Sequence, residues 1–108
     1  MAYIPLGGAL LELLVLGELG SGAKYGYELT HHIRDWFDIA ESGIYPVLRR
    51  LQTEGALDTY DEAHDGRNRR YYKLTPAGAE KLAKSKRGWH CFKTCIDQFL
   101  AETEGTEP

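Results

Sequence analysis

"ESGIYPVLRRLQTEGAL", residues 41 to 57, is the stretch on which the architecture of this chain turns. Ile44, Val47, Leu48 and Leu51 fall at i, i+3, i+4 and i+7, which is one apolar stripe on a helix. Tyr45, Arg49 and Gln52 lie on a different face. Pro46 is best tolerated where its missing N–H has no intrahelical partner, so the helix is expected to begin at about Ser42 or Gly43, with Pro46 in its first turn. Gly55 supplies the stop. The expectation is a short amphipathic helix that presents Tyr45 and Arg49 close to its N-terminus.

On the N-terminal side, Leu29, Ile33, Trp36 and Phe37 repeat at i, i+4, i+7 and i+8, predicting a helix from about Tyr25 to Phe37. Only a few residues separate it from the helix at 42–54, so the two form a pair of the helix-turn-helix type. Further upstream, a helix is expected from about Leu6 to Leu19. Leu10, Leu11, Leu13, Leu14, Val15 and Leu16 cover nearly its whole circumference, which calls for burial on more than one side. The break "GSGAK" follows. Gly17 and Gly22 have the spacing of a phosphate-binding loop, but Ala23 stands where its lysine belongs, so phosphate cradling is not expected.

On the C-terminal side the period changes from 3.6 to 2. "ALDTY" and "RRYYKLT" read as strands, and "DEAHDGRN" between them contains the Asp65-Gly66 turn signal. Thr75 and Pro76 then start a last helix as N-cap and first residue, running to about Glu102. Along it Leu82, Trp89, Ile96 and Leu100 form one stripe, with Phe92 and Phe99 beside it. Little chain remains to cover so long a helix, and a second copy with two-fold symmetry is the economical partner.

The chain has 108 residues and a formal net charge of −3, the size of one domain. The expected organisation is a helix-turn-helix and hairpin region over 1–75, a dimerisation helix over 76–103 and a flexible acidic tail over 104–108. The apolar stretch Ala9–Leu16 is interrupted by Glu12 and is far too short for a bilayer, and no basic segment precedes it. A cytoplasmic location and no membrane partner are therefore expected. Net negative charge argues against a nucleic-acid partner, but its distribution does not: "RNRRYYK", residues 67–73, holds four cations and no anion.

The order helix, helix, helix, hairpin, helix is that of a winged helix-turn-helix: mainly α, with a small β-hairpin wing and a C-terminal helix for dimerisation. A helix of this width fits the major groove of double-stranded DNA. Its first turn reaches base edges, and its free N–H groups favour phosphate. Arg67, Arg69 and Arg70 on the wing can neutralise phosphates or enter a minor groove.

Three blocks, "YGYEL" at 25–29, "SGIYPVLRRLQTEGAL" at 42–57 and "GRNRRYYKLTPAG" at 66–78, resemble the motif blocks of the PadR family of winged-helix transcriptional regulators, in the right order. The final helix resembles that of the small, single-domain subgroup. The resemblance implies a homodimer on a palindromic operator, usually a repressor released by a small ligand or stress signal. Matched residue by residue, its recognition turn corresponds to Ser42, Gly43, Tyr45, Pro46 and Arg49, and its wing to Gly66, Arg67, Arg69 and Arg70. Lys24 and Tyr25 match backbone-contacting positions. Tyr71, Tyr72 and Leu74 are expected to pack the wing on the body, and Arg50 to lie on the surface.

Trp89 matches a tryptophan that lines a drug-accommodating cavity at the dimer interface of some small relatives, which makes Trp89 and Phe92 candidates for a flat aromatic effector. Gly88 beside it, costly inside a helix, suggests a close approach, kink or pocket there. Cys91 and Cys95, at i and i+4, share a helix face, as two ligands of a soft divalent metal effector need. His90 points about 100° away from Cys91, so His31, His32 or a partner subunit must complete such a site. No cofactor is required by any of these readings. No G-x-S-x-G, H-E-x-x-H or C-x-x-C motif occurs, so an enzyme is not expected. The alternative is a winged-helix interaction adaptor that does not bind DNA.

Overall fold

The computed structural model describes residues 7–104, in the order α1 (Gly8–Glu18), β1 (Lys24–Tyr25), α2 (Gly26–Trp36), α3 (Glu41–Thr53), β2 (Leu57–His64), β3 (Arg67–Leu74) and α4 (Pro76–Glu104). The expected start of the first helix at Leu6, and residues 105–108 of the expected tail, lie outside the described residues. The three strands form an antiparallel sheet in the order β1-β3-β2. The chain folds as a winged helix-turn-helix with an appended C-terminal helix.

The core is built from the predicted stripes. Leu11, Val15, Leu16 and Leu19 meet Leu29 and Ile33 of α2, and Ile44, Val47, Leu48 and Leu51 of α3, with Ala56, Leu57, Tyr72 and Leu82 closing the far side. Trp36 departs from its expected place in the α2 stripe: it is 64% exposed, while Phe37, just past the helix end, packs on the core instead. The backbone turns extended at Phe37, so this ring re-aims inward as the helix ends.

Helix α3 begins earlier than expected. Glu41 is its first residue, where a carboxylate suits the positive end of the helix. Pro46 is thus the sixth helical residue, in the second turn and not the first. Its missing N–H leaves the carbonyl of Ser42 without the usual donor, and Ser42 is exposed, so water can serve. At the other end Gly55, with φ of 82°, lets Ala56 N–H reach the Leu51 carbonyl at 2.9 Å while its own N–H meets Gln52 at 3.1 Å. This doubly bonded cap ends the helix and turns the chain into β2.

The hairpin arms are longer than expected. Strand pairing continues to His64 opposite Arg67, so much of "DEAHDGRN" is strand and only Asp65 and Gly66 make the turn. Both have positive φ, 50° and 76°, the two-residue turn whose twist matches that of paired strands. Strand β1, two residues long, was not legible as a strand; Lys24 and Tyr25 pair with Tyr72 and Tyr71. Gly26 makes this possible, because a Cβ there would lie 3.1 Å from the Tyr72 ring.

Thr75 caps α4 as expected: its Oγ1 accepts the Gly78 N–H at 3.0 Å and donates to the Gly55 carbonyl at 2.6 Å. Only the beginning of α4 packs on the body, and every residue from Lys86 to Glu104 is exposed. Among the described residues the helix runs to Glu104, two residues beyond the expected Glu102. It gives the molecule its long axis, 65 Å against 27 and 21 Å.

Candidate nucleic-acid interface

At the start of α3, Ser42, Gly43, Pro46 and Arg49 are exposed, and nothing lies within 4 Å of a Cβ built on Gly43. Arg49 and its neighbour Arg50 have different fates. Arg50 turns back to Glu12 at 3.4 Å and Glu54 at 3.9 Å, whereas Arg49 forms no ion pair among the described residues. Tyr45 does not stand free as expected. It borders the apolar stripe, about 60° from Leu48 on the wheel, and its half-buried ring packs on the core. Burial, with the Glu41 charge second, raises its hydroxyl above the ordinary tyrosine value.

On the wing, alternation sorts the side chains. Tyr60, Glu62, His64, Arg67, Arg69, Tyr71 and Lys73 share one face, and Tyr72 and Leu57 face the core from the other. Tyr60 stacks on Tyr71 with ring centres 5.3 Å apart, and Tyr71 lies 5.9 Å from Tyr25. Cations sit over these rings: the Arg69 guanidinium 4.8 Å from the Tyr25 centroid, Lys73 5.8 Å from that of Tyr60. Arg70 points the other way, to Asp61 at 3.4 Å. Arg67, beside the Gly66 turn, has no ion pair among the described residues. Tyr72 is buried and Leu74 half-buried, and both pack on the core as expected, whereas Tyr71 lies on the outer face between Tyr25 and Tyr60. Tyr60 was missed as part of this surface, and period-2 alternation through 57–74 was its signal; Tyr27, beside Tyr25 with ring centres 6.2 Å apart, had none.

Lys24 is held at the hinge of wing and helix pair. Its Nζ lies 2.9 Å from Glu18, and His32 Nδ1 contacts the same carboxylate. The His31 ring lies tilted against Tyr27, with centres 4.4 Å apart. His90, Cys91 and Cys95 are exposed on α4. Among the described residues, no three His, Cys, Asp or Glu side chains converge as a metal site would require.

Trp89 and Phe92 face α1 across an open groove of about 370 Å³, whose opposite wall includes Leu10 and Leu13. Gly88 lines it. Of the close approach, kink or pocket expected at Gly88, the pocket is present, while a Cβ there meets nothing within 4 Å among the described residues. Its absence widens the groove without making room for any backbone.

A family model described as "Transcriptional regulator PadR-like family" matches residues 15–84, which span all three motif blocks. The chain belongs to the PadR-like family of transcriptional regulators. It is 32% identical over 80 residues to the transcriptional regulator Rv3488 of Mycobacterium tuberculosis, covering 73% of this chain and 75% of that one. Among solved structures it is similar to smu.1704 of Streptococcus mutans, with 35% identity, a TM-score of 0.86 and coverage of 93% and 94%. It is also similar to Bacillus subtilis PadR in complex with operator DNA, with 26% identity, a TM-score of 0.63, and coverage of 69% of this chain and 45% of that chain. Among the described residues, no helix is long and apolar enough to cross a membrane. The family match ends at Lys84, before Trp89, Phe92, Cys91 and Cys95 on the distal part of α4.

Proposed function

We propose that this protein is a homodimeric repressor that binds a palindromic operator through α3 and the wing and is released by an effector acting on α4. The observation that carries the reading is the distribution of unpaired cations. Arg50, Lys24, Arg34 and Lys81 are each spent on a nearby carboxylate, while among the described residues Arg49 on α3 and Arg67 at the wing tip are held by none. Those two therefore project full charge from the two elements that a winged helix presents to DNA. Ser42, Gly43 and Pro46 leave the α3 terminus open to base edges, and Lys24, Tyr25, Arg69 and Arg70 flank it as backbone contacts, with Tyr45 supporting from beneath.

The test is a gel-shift titration on the DNA upstream of the gene. The native chain is expected to retard it, and Arg49→Ala and Arg67→Ala are each expected to weaken binding by roughly 1–3 kcal/mol, about fivefold or more. No retardation at low salt would instead favour the adaptor reading that the −3 charge suggests. The effector is either a flat aromatic compound in the Trp89 and Phe92 groove or a soft divalent metal on Cys91 and Cys95. Trp89 fluorescence across an aromatic panel tests the first, and cadmium or zinc retention in native mass spectrometry the second; a ligand-bound chain that still holds its operator would remove that effector.

A further inference from the structure

The wing carries four cations, Arg67, Arg69, Arg70 and Lys73, but also four carboxylates, Asp58, Asp61, Glu62 and Asp65. As a unit it is neutral. Three of the four carboxylates lie on β2, the edge strand, and the register sets Asp61 opposite Arg70 and Glu62 opposite Arg69. Because successive side chains alternate, these two pairs lie on opposite faces of the wing. Whichever face meets a duplex, its arginine arrives with a carboxylate beside it. The tip differs: Arg67 faces His64.

We infer that Asp61 and Glu62 are specificity-determining residues, which hold Arg69 and Arg70 back from phosphate backbone of arbitrary sequence. The reasoning rests on the DNA-binding reading above. Nonspecific affinity for DNA is almost wholly electrostatic, whereas operator affinity also draws on base-edge contacts. Neutralising two wing arginines therefore costs nonspecific binding a larger share than operator binding. Asp61 lies 3.4 Å from Arg70 Nε and both are well exposed, so the pair is weak enough to open when a duplex is seated in register by α3 and Arg67. Arg69 lies over the Tyr25 ring and forms no ion pair among the described residues, so Glu62, opposite it in register, acts on it through the local field and not through contact. Charges also protect an edge strand from pairing with another chain, but that purpose needs neither position to face an arginine.

The experiment compares Asp61→Asn/Glu62→Gln with a control of equal charge change away from the wing, Asp35→Asn/Glu80→Gln, both exposed and free of ion pairs among the described residues. Fluorescence anisotropy reads affinity for the upstream duplex and for an unrelated duplex from about 50 to 200 mM salt. The wing variant is expected to gain about fivefold or more on the unrelated duplex, with a steeper salt dependence approaching one extra released counterion per exposed arginine. Its operator gain is smaller, so the ratio of the two affinities falls. A gain no larger than that of the control, or an unchanged ratio, would overturn the inference while leaving the regulator reading intact. A native chain that shows no preference for the upstream duplex would overturn that reading itself, and is seen before any variant is made.

Discussion

Two glycines in one helix show how differently the same residue type is used. Gly78 sits where the first turn of α4 passes the end of α3, and a Cβ there would stand 2.0 Å from the Ala56 carbonyl oxygen. That oxygen is fixed, since it accepts the Thr75 N–H at 3.0 Å, so the backbone itself would have to shift. Gly78→Ala is therefore expected to destabilise the fold by roughly 2–4 kcal/mol, read as a lower urea midpoint. Gly88 has open space around it, and alanine there is expected to stabilise α4 by up to about 1 kcal/mol. The same substitution also trims the groove beside Trp89, so a loss of aromatic-ligand binding in the stabilised variant would tie the glycine to that groove. At residue scale, sequence reading was strongest where one backbone requirement selects one residue: Gly55, Asp65-Gly66 and Thr75-Pro76 each mark the boundary that the structure has. It was weakest at Gly26 and Gly78, whose reason is a neighbour distant in sequence.

Elements join through charge as well as apolar contact. Glu12 interrupts an otherwise apolar α1, and the structure gives its purpose: Oε1 meets Lys81 of α4 at 2.9 Å and Oε2 meets Arg50 of α3 at 3.4 Å, while Glu54 completes the ring from Lys81 at 3.3 Å. The Glu12 side chain is 15% exposed, so this network is better shielded than an isolated surface pair. Removing it with Glu12→Gln is expected to cost about 1–2 kcal/mol. The hydrogen bond to Glu12 raises Lys81 above its ordinary value of 10.5, against a smaller opposing effect of burial. A cation stabilised in the folded state contributes fully below the unfolded value and fades only as pH climbs through the folded one. The Lys81 contribution should thus be the same at pH 7 and 9 and shrink in strongly alkaline solution, which urea midpoints of Lys81→Met and the native chain would measure. A penalty that fell between pH 7 and 9 would contradict the assignment. The apolar stripes of α1, α2 and α3 were legible because period and burial agree. Strand β1 was not, since two residues carry no period, and the hairpin was foreshortened because its distal arms are polar on both faces, with no core to impose alternation.

At the scale of the whole molecule, an apolar stripe on α4 is left largely uncovered among the described residues. Beyond Ser85, α4 leaves the body and carries Trp89, Phe92, Ile96, Phe99 and Leu100, each between 38 and 65% exposed, along one side. Such a stripe is legible in sequence as amphipathic, but the partner it implies is beyond a single chain. A contiguous apolar strip of this kind marks an interaction surface, and the same patch on a second copy is self-complementary under two-fold symmetry. The operator reading then depends on it, because one α3 and one wing reach only one half-site, and joining two multiplies a weak half-site affinity by effective concentration. Ile96→Ser/Phe99→Ser is the variant that separates folding from assembly, since neither side chain touches the core cluster. It is expected to keep the native circular dichroism spectrum, to halve the mass seen by light scattering, and to weaken operator binding by about two orders of magnitude with little change on unrelated DNA. A variant that stayed dimeric would move the interface off the distal stripe, and one that became monomeric yet bound the operator with native affinity would show that a single α3 and wing suffice.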